Sequence, residues 1–259
     1  MFLFFFLLIK SDTYSILINT SRGFHNYRHM TDLYIMYDLL RLYSTPSSNI
    51  ITYFPEDIFQ DKRNLVPETV HVNEKEKLKY KKLTSKGYTV NDVLNGLRCN
   101  INELKNITCK DNIFIYMVGH GCDGAIKFYD KEWLTKEDLM RSLRILSKRV
   151  NKIFFILDTC EAESIISRDI KNMYLVTTSV HGEPSLSVSK SDTLGVYTAD
   201  ELSYYFMREL QNENSENYTL DKIFEEISYD MTSTLTWKKN ESFKVKDFFK
   251  TKQQIELSL

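Results

Sequence analysis

Ile113-Phe114-Ile115-Tyr116-Met117-Val118-Gly119-His120-Gly121 is an apolar run that stops at a histidine held between two glycines. A strand of β-branched and aromatic residues with no polar alternation is covered on both faces, as strands of parallel sheets are. Further on, Ile153-Phe154-Phe155-Ile156-Leu157-Asp158-Thr159-Cys160-Glu161-Ala162 repeats the plan, with a cysteine past the apolar run at the opening of a short helical segment. Forty residues separate His120 from Cys160, room for a strand, one crossover helix and the next parallel strand. Three more β-branched and aromatic runs lie at residues 14–19, 50–54 and 173–178. Helical patterns alternate with them at 26–43, 135–149, 200–210 and 220–232; Thr135 is placed to N-cap the second, with Asp138 at its N3 position. Tyr204, Tyr205, Phe206 and Phe224 on the last two read as core rather than as a ligand box. Strands alternating with helices predict an α/β fold with a mostly parallel central sheet flanked by helices.

The ends of the strands carry the chemistry, because ligands of open α/β sheets collect at the carboxyl edge. An imidazole there, with an ordinary pKa near 6.5, accepts and returns a proton at neutral pH. A thiol at a helix N-terminus is drawn toward thiolate by the peptide dipoles, which prepares a nucleophile. Neighbouring strands lie about 4.8 Å apart, so His120 and Cys160 can meet if their strands adjoin. The backbone N–H groups of Gly121 and Cys160 would then face the oxygen of a tetrahedral intermediate. The structural alternative for each is a satisfied core histidine and a small buried hydrophobe. A zinc site from His120, Cys122 and Cys160 lacks a fourth ligand, so no metal and no cofactor are expected.

The remaining composition narrows the classes. With 259 residues, 42% of them hydrophobic, the chain can bury one sizeable core, and no linker composition divides it. Its 34 basic and 35 acidic residues are mixed along the chain, giving no nucleic-acid footprint; the densest basic run, 75–86, reads as a solvated helix face or loop. The four cysteines, Cys99, Cys109, Cys122 and Cys160, show no C-x-x-C spacing, and pairing of Cys99 with Cys109 is open. Residues 1–9 form an apolar run long enough for the h-region of a signal peptide but without a basic n-region or a small-x-small cleavage site, and a truncated leader or an added buried strand is the competing reading. N-x-S/T sequons begin at Asn19, Asn106, Asn217 and Asn240.

In order along the chain, the motifs resemble the legumain and caspase clan, and more closely the family of GPI-anchor transamidase catalytic subunits. Thr20-Ser21-Arg22-Gly23-Phe24-His25-Asn26-Tyr27-Arg28-His29 is similar to that family's T-S-R-x-x-x-N-Y-R-H, and Tyr116-Met117-Val118-Gly119-His120-Gly121 to its Y-M-T-G-H-G. Phe128 and Asp130 fall where it has K-F-x-D, and Ile156-Leu157-Asp158-Thr159-Cys160 resembles its I-I-D-T-C. Gly182-Glu183-Pro184-Ser185-Leu186-Ser187, Gly195-Val196 and Asp247-Phe248-Phe249 match further family segments. The resemblance implies a caspase/legumain-like three-layer fold in one catalytic domain over 13–250; from the residues alone, 1–12 read as a signal peptide or hydrophobic leader and 251–259 as a polar tail. It implies Cys160 as nucleophile, His120 as base and Asn26 as the residue orienting the imidazole; from the residues alone Asn26 reads as a helix N-cap. Residues matching Arg28, Asp158 and Asp200 line the substrate pocket in the legumain branch, with Ser185 and Ser187 on a loop beside it; Arg28 with Asp158 as a buried structural ion pair is the alternative.

The implied activity is transfer of a precursor protein's ω residue, through a thioester on Cys160, to the ethanolamine amine of a GPI lipid, with release of the C-terminal signal peptide. The implied setting is the lumenal side of the endoplasmic reticulum, in a membrane complex with other transamidase subunits. A legumain-like or caspase-like cysteine endopeptidase is the rival enzyme, and a degenerate non-catalytic subunit the rival of another class. Three departures from the family's pattern stand out. Gln60 replaces a cysteine that tethers a partner subunit in many relatives, and residues 78–84 are lysine-rich where relatives carry carboxylates suited to calcium. No apolar stretch at the C-terminus matches their membrane span.

Overall fold

The computed structural model describes residues 11–213 and 215–250; the proposed leader and tail lie largely outside them. The first half runs β1 (Thr13–Asn19), α1 (Tyr27–Leu42), β2 (Ile50–Tyr53), β3 (Thr69–His71), β4 (Lys77–Lys79), α2 (Val90–Leu97) and β5 (Asn112–Val118). Next come β6 (His120–Cys122), β7 (Ala125–Phe128), β8 (Glu132–Thr135), α3 (Lys136–Leu146), β9 (Lys152–Asp158), the single turn α4 (Ala162–Ile165) and β10 (Met173–Thr177). The chain continues through β11 (Ser187–Lys190), β12 (Tyr197–Asp200), α5 (Glu201–Gln211), α6 (Leu220–Asp230) and β13 (Thr236–Trp237).

Six strands form the central sheet in the order β13-β10-β9-β5-β1-β2. All pairings in it are parallel except β10 with β13. Successive side chains of a strand point to opposite faces, and both faces here are apolar. Leu17, Phe114, Tyr116, Val118, Phe154 and Ile156 pack with α1, α5 and α6. Ile16, Ile18, Ile115, Met117, Phe155 and Leu157 pack with α2, α3 and α4. Each such side chain contributes about 1.5–3 kcal/mol on burial, which explains why these runs show no polar alternation. The result is the three-layer arrangement expected. Of the aromatics read as core on the last helices, Phe206 and Phe224 are fully buried and stacked at 5.7 Å, while Tyr204 and Tyr205 are part-buried against the edge of that core.

Local signals set the helix starts. Thr135 caps α3, its side chain accepting from Asp138 N. Thr89 and Asp92 form a reciprocal capping box on α2, whose Val90, Val93, Leu94 and Leu97 stand at i, i+3, i+4 and i+7, a helical period that sequence reading passed over.

Several expectations change. The interval between His120 and Cys160 holds a three-stranded antiparallel meander, β6-β7-β8, as well as the crossover helix α3. The basic run at 75–86 contributes strand β4, paired with β3 in a two-stranded ribbon, and not a helix. All four cysteines are free, with Cys99 buried and Cys109 exposed. Asn19 is buried at the end of β1, where its side-chain oxygen accepts from Ser21 N, so its sequon is closed in the folded chain; Asn106 and Asn217 are exposed. Among the described residues, no helix is long and apolar enough to cross a membrane.

Candidate active site

Strands β1, β5 and β9 end level with one another: Asn19 pairs with Val118, and Val118 with Asp158. Chain order departs from β1 first toward β2 and then back across to β5, so the crevice beyond these ends lies at a topological switch point. The ladder continues a step further, with Thr20 N donating to Val118 O at 3.0 Å and Gly119 N to Asp158 O at 3.2 Å. His120 and Cys160 therefore leave adjoining strands at the same level, two residues past paired positions. Both are part-buried at the crevice.

Close approach at this point requires glycine. A Cβ on Gly121 would lie 2.6 Å from Thr159 Oγ1, 3.0 Å from Ile165 Cδ1 and nearer still to the carbonyl oxygen of Cys160. No side chain fits between the histidine strand and the cysteine turn. Cys160 itself lies in the turn ahead of α4 and not at its first residue: Glu161 intervenes in the left-handed conformation at φ 56°. That bend is held by Glu161 N donating to Glu183 O at 3.0 Å and Ala162 N to Ser179 Oγ at 3.0 Å. With four residues, α4 supplies little of the dipole expected at the thiol.

Asn26 occupies the N-cap position of α1 but makes no side-chain cap bond. Its carboxamide turns to the imidazole instead. Asn26 Nδ2 donates to Arg22 O at 2.7 Å, which directs Oδ1 toward His120 Nε2 at 2.9 Å. An amide oxygen only accepts, so in the neutral ring this hydrogen-bond network puts the proton on Nε2 and leaves the Nδ1 lone pair free as a base. The ring of His29 packs edge-on against His120 at 5.0 Å. Burial, then the nearby charges of Arg28 and Lys127, lower the His120 pKa to about 4. His29 is pushed well below its usual value, chiefly by complete burial. Both rings are neutral at pH 7.

Behind these rings lies a buried cluster of carboxyl groups. Arg28 Nε pairs with Asp200 Oδ1 at 3.0 Å, and His29 Nε2 lies 3.4 Å from Asp200 Oδ2. The Arg28–Asp158 ion pair considered as an alternative does not form. Asp158 instead accepts from Tyr116 Oη at 2.9 Å and Ser185 Oγ at 3.0 Å, while Ser187 Oγ donates to Asp200 at 2.8 Å. Asp32, fully buried, accepts from Asp200 N at 3.0 Å and Ser203 Oγ at 2.5 Å. Burial and the neighbouring Asp200 charge raise Asp158 to about 7, and burial raises Asp32 and Asp200 too. Three carboxyl groups thus share the balance of one guanidinium and retain protons between them.

All of the sequence-predicted residues, Asn26, Arg28, His120, Gly121, Asp158, Cys160, Ser185, Ser187 and Asp200, come together at this one edge. Sequence reading missed His29 and Asp32 as members. A signal existed: Asp32 stands four residues after Arg28 and three after His29 on α1, which places it on the helix face of each. No cluster of metal-ligating side chains is present among the described residues, and Cys122 lies exposed on β6 with its thiol against Asp123 O and Ala125 O.

Residues 13–256 match the family model described as the peptidase C13 family. This chain belongs to the peptidase C13 family. The match takes in the whole of the crevice, from Asn26 to Asp200. Among proteins similar to it, the chain is 30% identical over 237 residues to a protein of Saccharomyces cerevisiae named GPI-anchor transamidase, covering 85% of this chain and 58% of that one. It is 32% identical over 217 residues to the protein of that name from Schizosaccharomyces pombe, covering 78% of this chain and 57% of that one. To the Homo sapiens protein of that name it is 26% identical over 278 residues, covering 98% and 70%. The C13 chain thus spans under three fifths of the length of these two yeast relatives.

Proposed function

We propose that this C13 chain is the catalytic subunit of a GPI-anchor transamidase, working through a thioester on Cys160. The observation that carries the reading is the Asn26–His120 hydrogen bond of 2.9 Å on a strand that adjoins the cysteine turn, in a chain whose similar proteins are named transamidases.

In the first half, Nδ1 of His120 takes the thiol proton as sulfur attacks the carbonyl carbon of the ω residue. The oxyanion gathers the N–H groups of Gly121 and Cys160. Collapse breaks the C–N bond, and the imidazolium returns its proton to the departing amine of the C-terminal peptide. In the second half, the free amine of ethanolamine attacks the thioester, the C–S bond breaks, and the proton lost by the amine passes through His120 to the sulfur. Asn26 keeps the ring in the tautomer both halves need. Arg28, Asp158, Asp200, Ser185 and Ser187 form the wall that receives the ω side chain, a polar surface whose carboxyl groups are held by Arg28, Tyr116 and the two serines. The partners in this reading are the precursor's C-terminal signal, the GPI lipid and the other subunits of a complex at the lumenal face of the endoplasmic reticulum, which hold the chain to the membrane.

Substituting Cys160→Ala in cells that depend on this chain, and following attachment of GPI to a reporter, tests the proposal. Attachment is expected to stop while the complex still assembles. Continued attachment would end the reading.

A further inference from the structure

Beside the imidazole is a small cleft lined by Thr20, Arg22, Asn26, His120, Lys127 and Asp130, a place the two half-reactions leave without a role. His120 on β6 and Lys127 on β7 are direct partners across an antiparallel ladder. Their side chains leave the same face with Cβ atoms about 5 Å apart. The Lys127 ammonium meets Asp130 Oδ1 at 2.5 Å, and Arg22 Nε meets Asp130 Oδ2 at 3.2 Å. Two cations share one carboxylate. Their side chains remain 48% exposed for Arg22 and 37% for Lys127, so one positive charge stays unmatched at the mouth of the cleft.

The backbone that carries Asp130 is strained to put it there. Lys131 N donates to Phe128 O at 2.9 Å, closing a turn in which Tyr129 and Asp130 take φ of 35° and 67°. Left-handed backbone at a non-glycine residue costs about 1–2 kcal/mol. Tyr129 N donates to Thr20 O at 2.7 Å and Tyr129 Oη to Glu132 at 2.8 Å, which offsets part of that cost and pins the hairpin tip to the segment after β1. Pinning brings Asp130 between Arg22 and Lys127, so the carboxylate orients two side chains that would otherwise point freely into solvent. Thr20, also at the cleft, is 1% exposed and its Oγ1 has no hydrogen-bond partner.

We propose that Arg22 and Lys127 form a subsite for the phosphodiester anion of the acceptor, carried two carbons from the amine that attacks the thioester. In N–C–C–O–P the amine and phosphorus are about 4–5 Å apart, close to the Cβ–Cβ step between His120 and Lys127 on the paired strands. In this reading the phosphate rests on the exposed ends of the two cations, outside the small cleft itself, and the amine two carbons away is carried toward the imidazole and the thioester. The amine lone pair forms the C–N bond, the C–S electrons leave on Cys160, and one amine proton passes to Nδ1 and then to sulfur. Water carries no anion for the subsite to hold, so the cleft favours aminolysis over hydrolysis by positioning. This inference rests on the transamidase reading.

The test uses the assembled complex, acylated by a precursor peptide, with two competing nucleophiles: glycerophosphoethanolamine, which carries the phosphodiester, and hydrazine, which does not. The double variant Arg22→Gln, Lys127→Gln is expected to lower the ratio of glycerophosphoethanolamine to hydrazine capture roughly tenfold. The charge-preserving pair Arg22→Lys, Lys127→Arg is expected to restore most of it, and raising salt is expected to lower the ratio in the unaltered complex but not in the double variant. An unchanged ratio, or equal loss with both nucleophiles, overturns the subsite; loss confined to release of the C-terminal peptide overturns it in favour of peptide recognition. Failure of the transamidase reading looks different, since the unaltered complex would then form no thioester that either amine captures.

Discussion

Gly121→Ala places a methyl group between the two candidate catalytic elements and so examines their geometry directly. The added carbon would meet Thr159 Oγ1 at 2.6 Å and Ile165 Cδ1 at 3.0 Å, and would press harder on the Cys160 carbonyl, where ordinary contacts begin at 3.4 Å. Relief requires the cysteine turn to retreat from β6 by roughly 1 Å, a misplacement that costs about 100-fold in rate when it falls on reacting groups. Overpacking of this kind costs about 1–3 kcal/mol of stability, too little to unfold an ordinary domain. The assay follows burst release of the C-terminal peptide and hydrazine capture of the thioester, beside thermal melting of the same preparation. Gly124→Ala serves as comparator: its surroundings are open, and only its φ of 72° resists a side chain. The expected outcome is a comparable loss of melting temperature in both variants, with the rate lost in Gly121→Ala alone. Full acylation by a folded Gly121→Ala variant would refute the placement of Cys160 against β6.

Three other outcomes follow from the same structure. Because the His120 pKa is lowered to about 4, the unfolded chain binds the proton more readily, so this residue's contribution to stability is present above about pH 6.5 and is lost as pH falls toward 4; kcat/KM is expected to show its acidic limb in that lower range, and Lys127→Gln, which removes a repelling charge, is expected to move the limb to higher pH. Asp158, raised to about 7 chiefly by burial, binds its proton more tightly folded than unfolded, so stability falls as pH rises from about 4 to 7; the melting temperature of Asp158→Asn relative to the unaltered chain is expected to be higher at pH 8 than at pH 5, and a pH-independent difference would contradict the buried carboxyl assignment. Thr89→Ala breaks the capping box on α2 and is expected to cost about 1 kcal/mol, read as a drop of about 2–4 °C in melting temperature with thioester capture unchanged.

The sequence by itself determined the five parallel strands of the sheet and marked His120 and Cys160 as the candidate reactive pair. Apolar runs such as 113–118 and 153–157 have no stable place except a strand covered on both faces, so their positions were legible within a residue. His120 and Cys160 stood out because a polar residue following such a run must emerge at the strand's end. The meander β6-β7-β8 was not legible: its strands are three and four residues long, and their pairing is fixed by a turn with two left-handed residues and not by any apolar period. The partners of charges were equally hidden. Only the packing of α1 against β12 and α5 decided that Arg28 pairs with Asp200 and not with Asp158, and that Asn26 faces an imidazole and leaves its helix uncapped. Local sequence fixes which residues emerge at an edge, because that depends on hydrophobic period alone. Which of them meet depends on strand order and register, and those are settled by contacts between segments far apart in the chain.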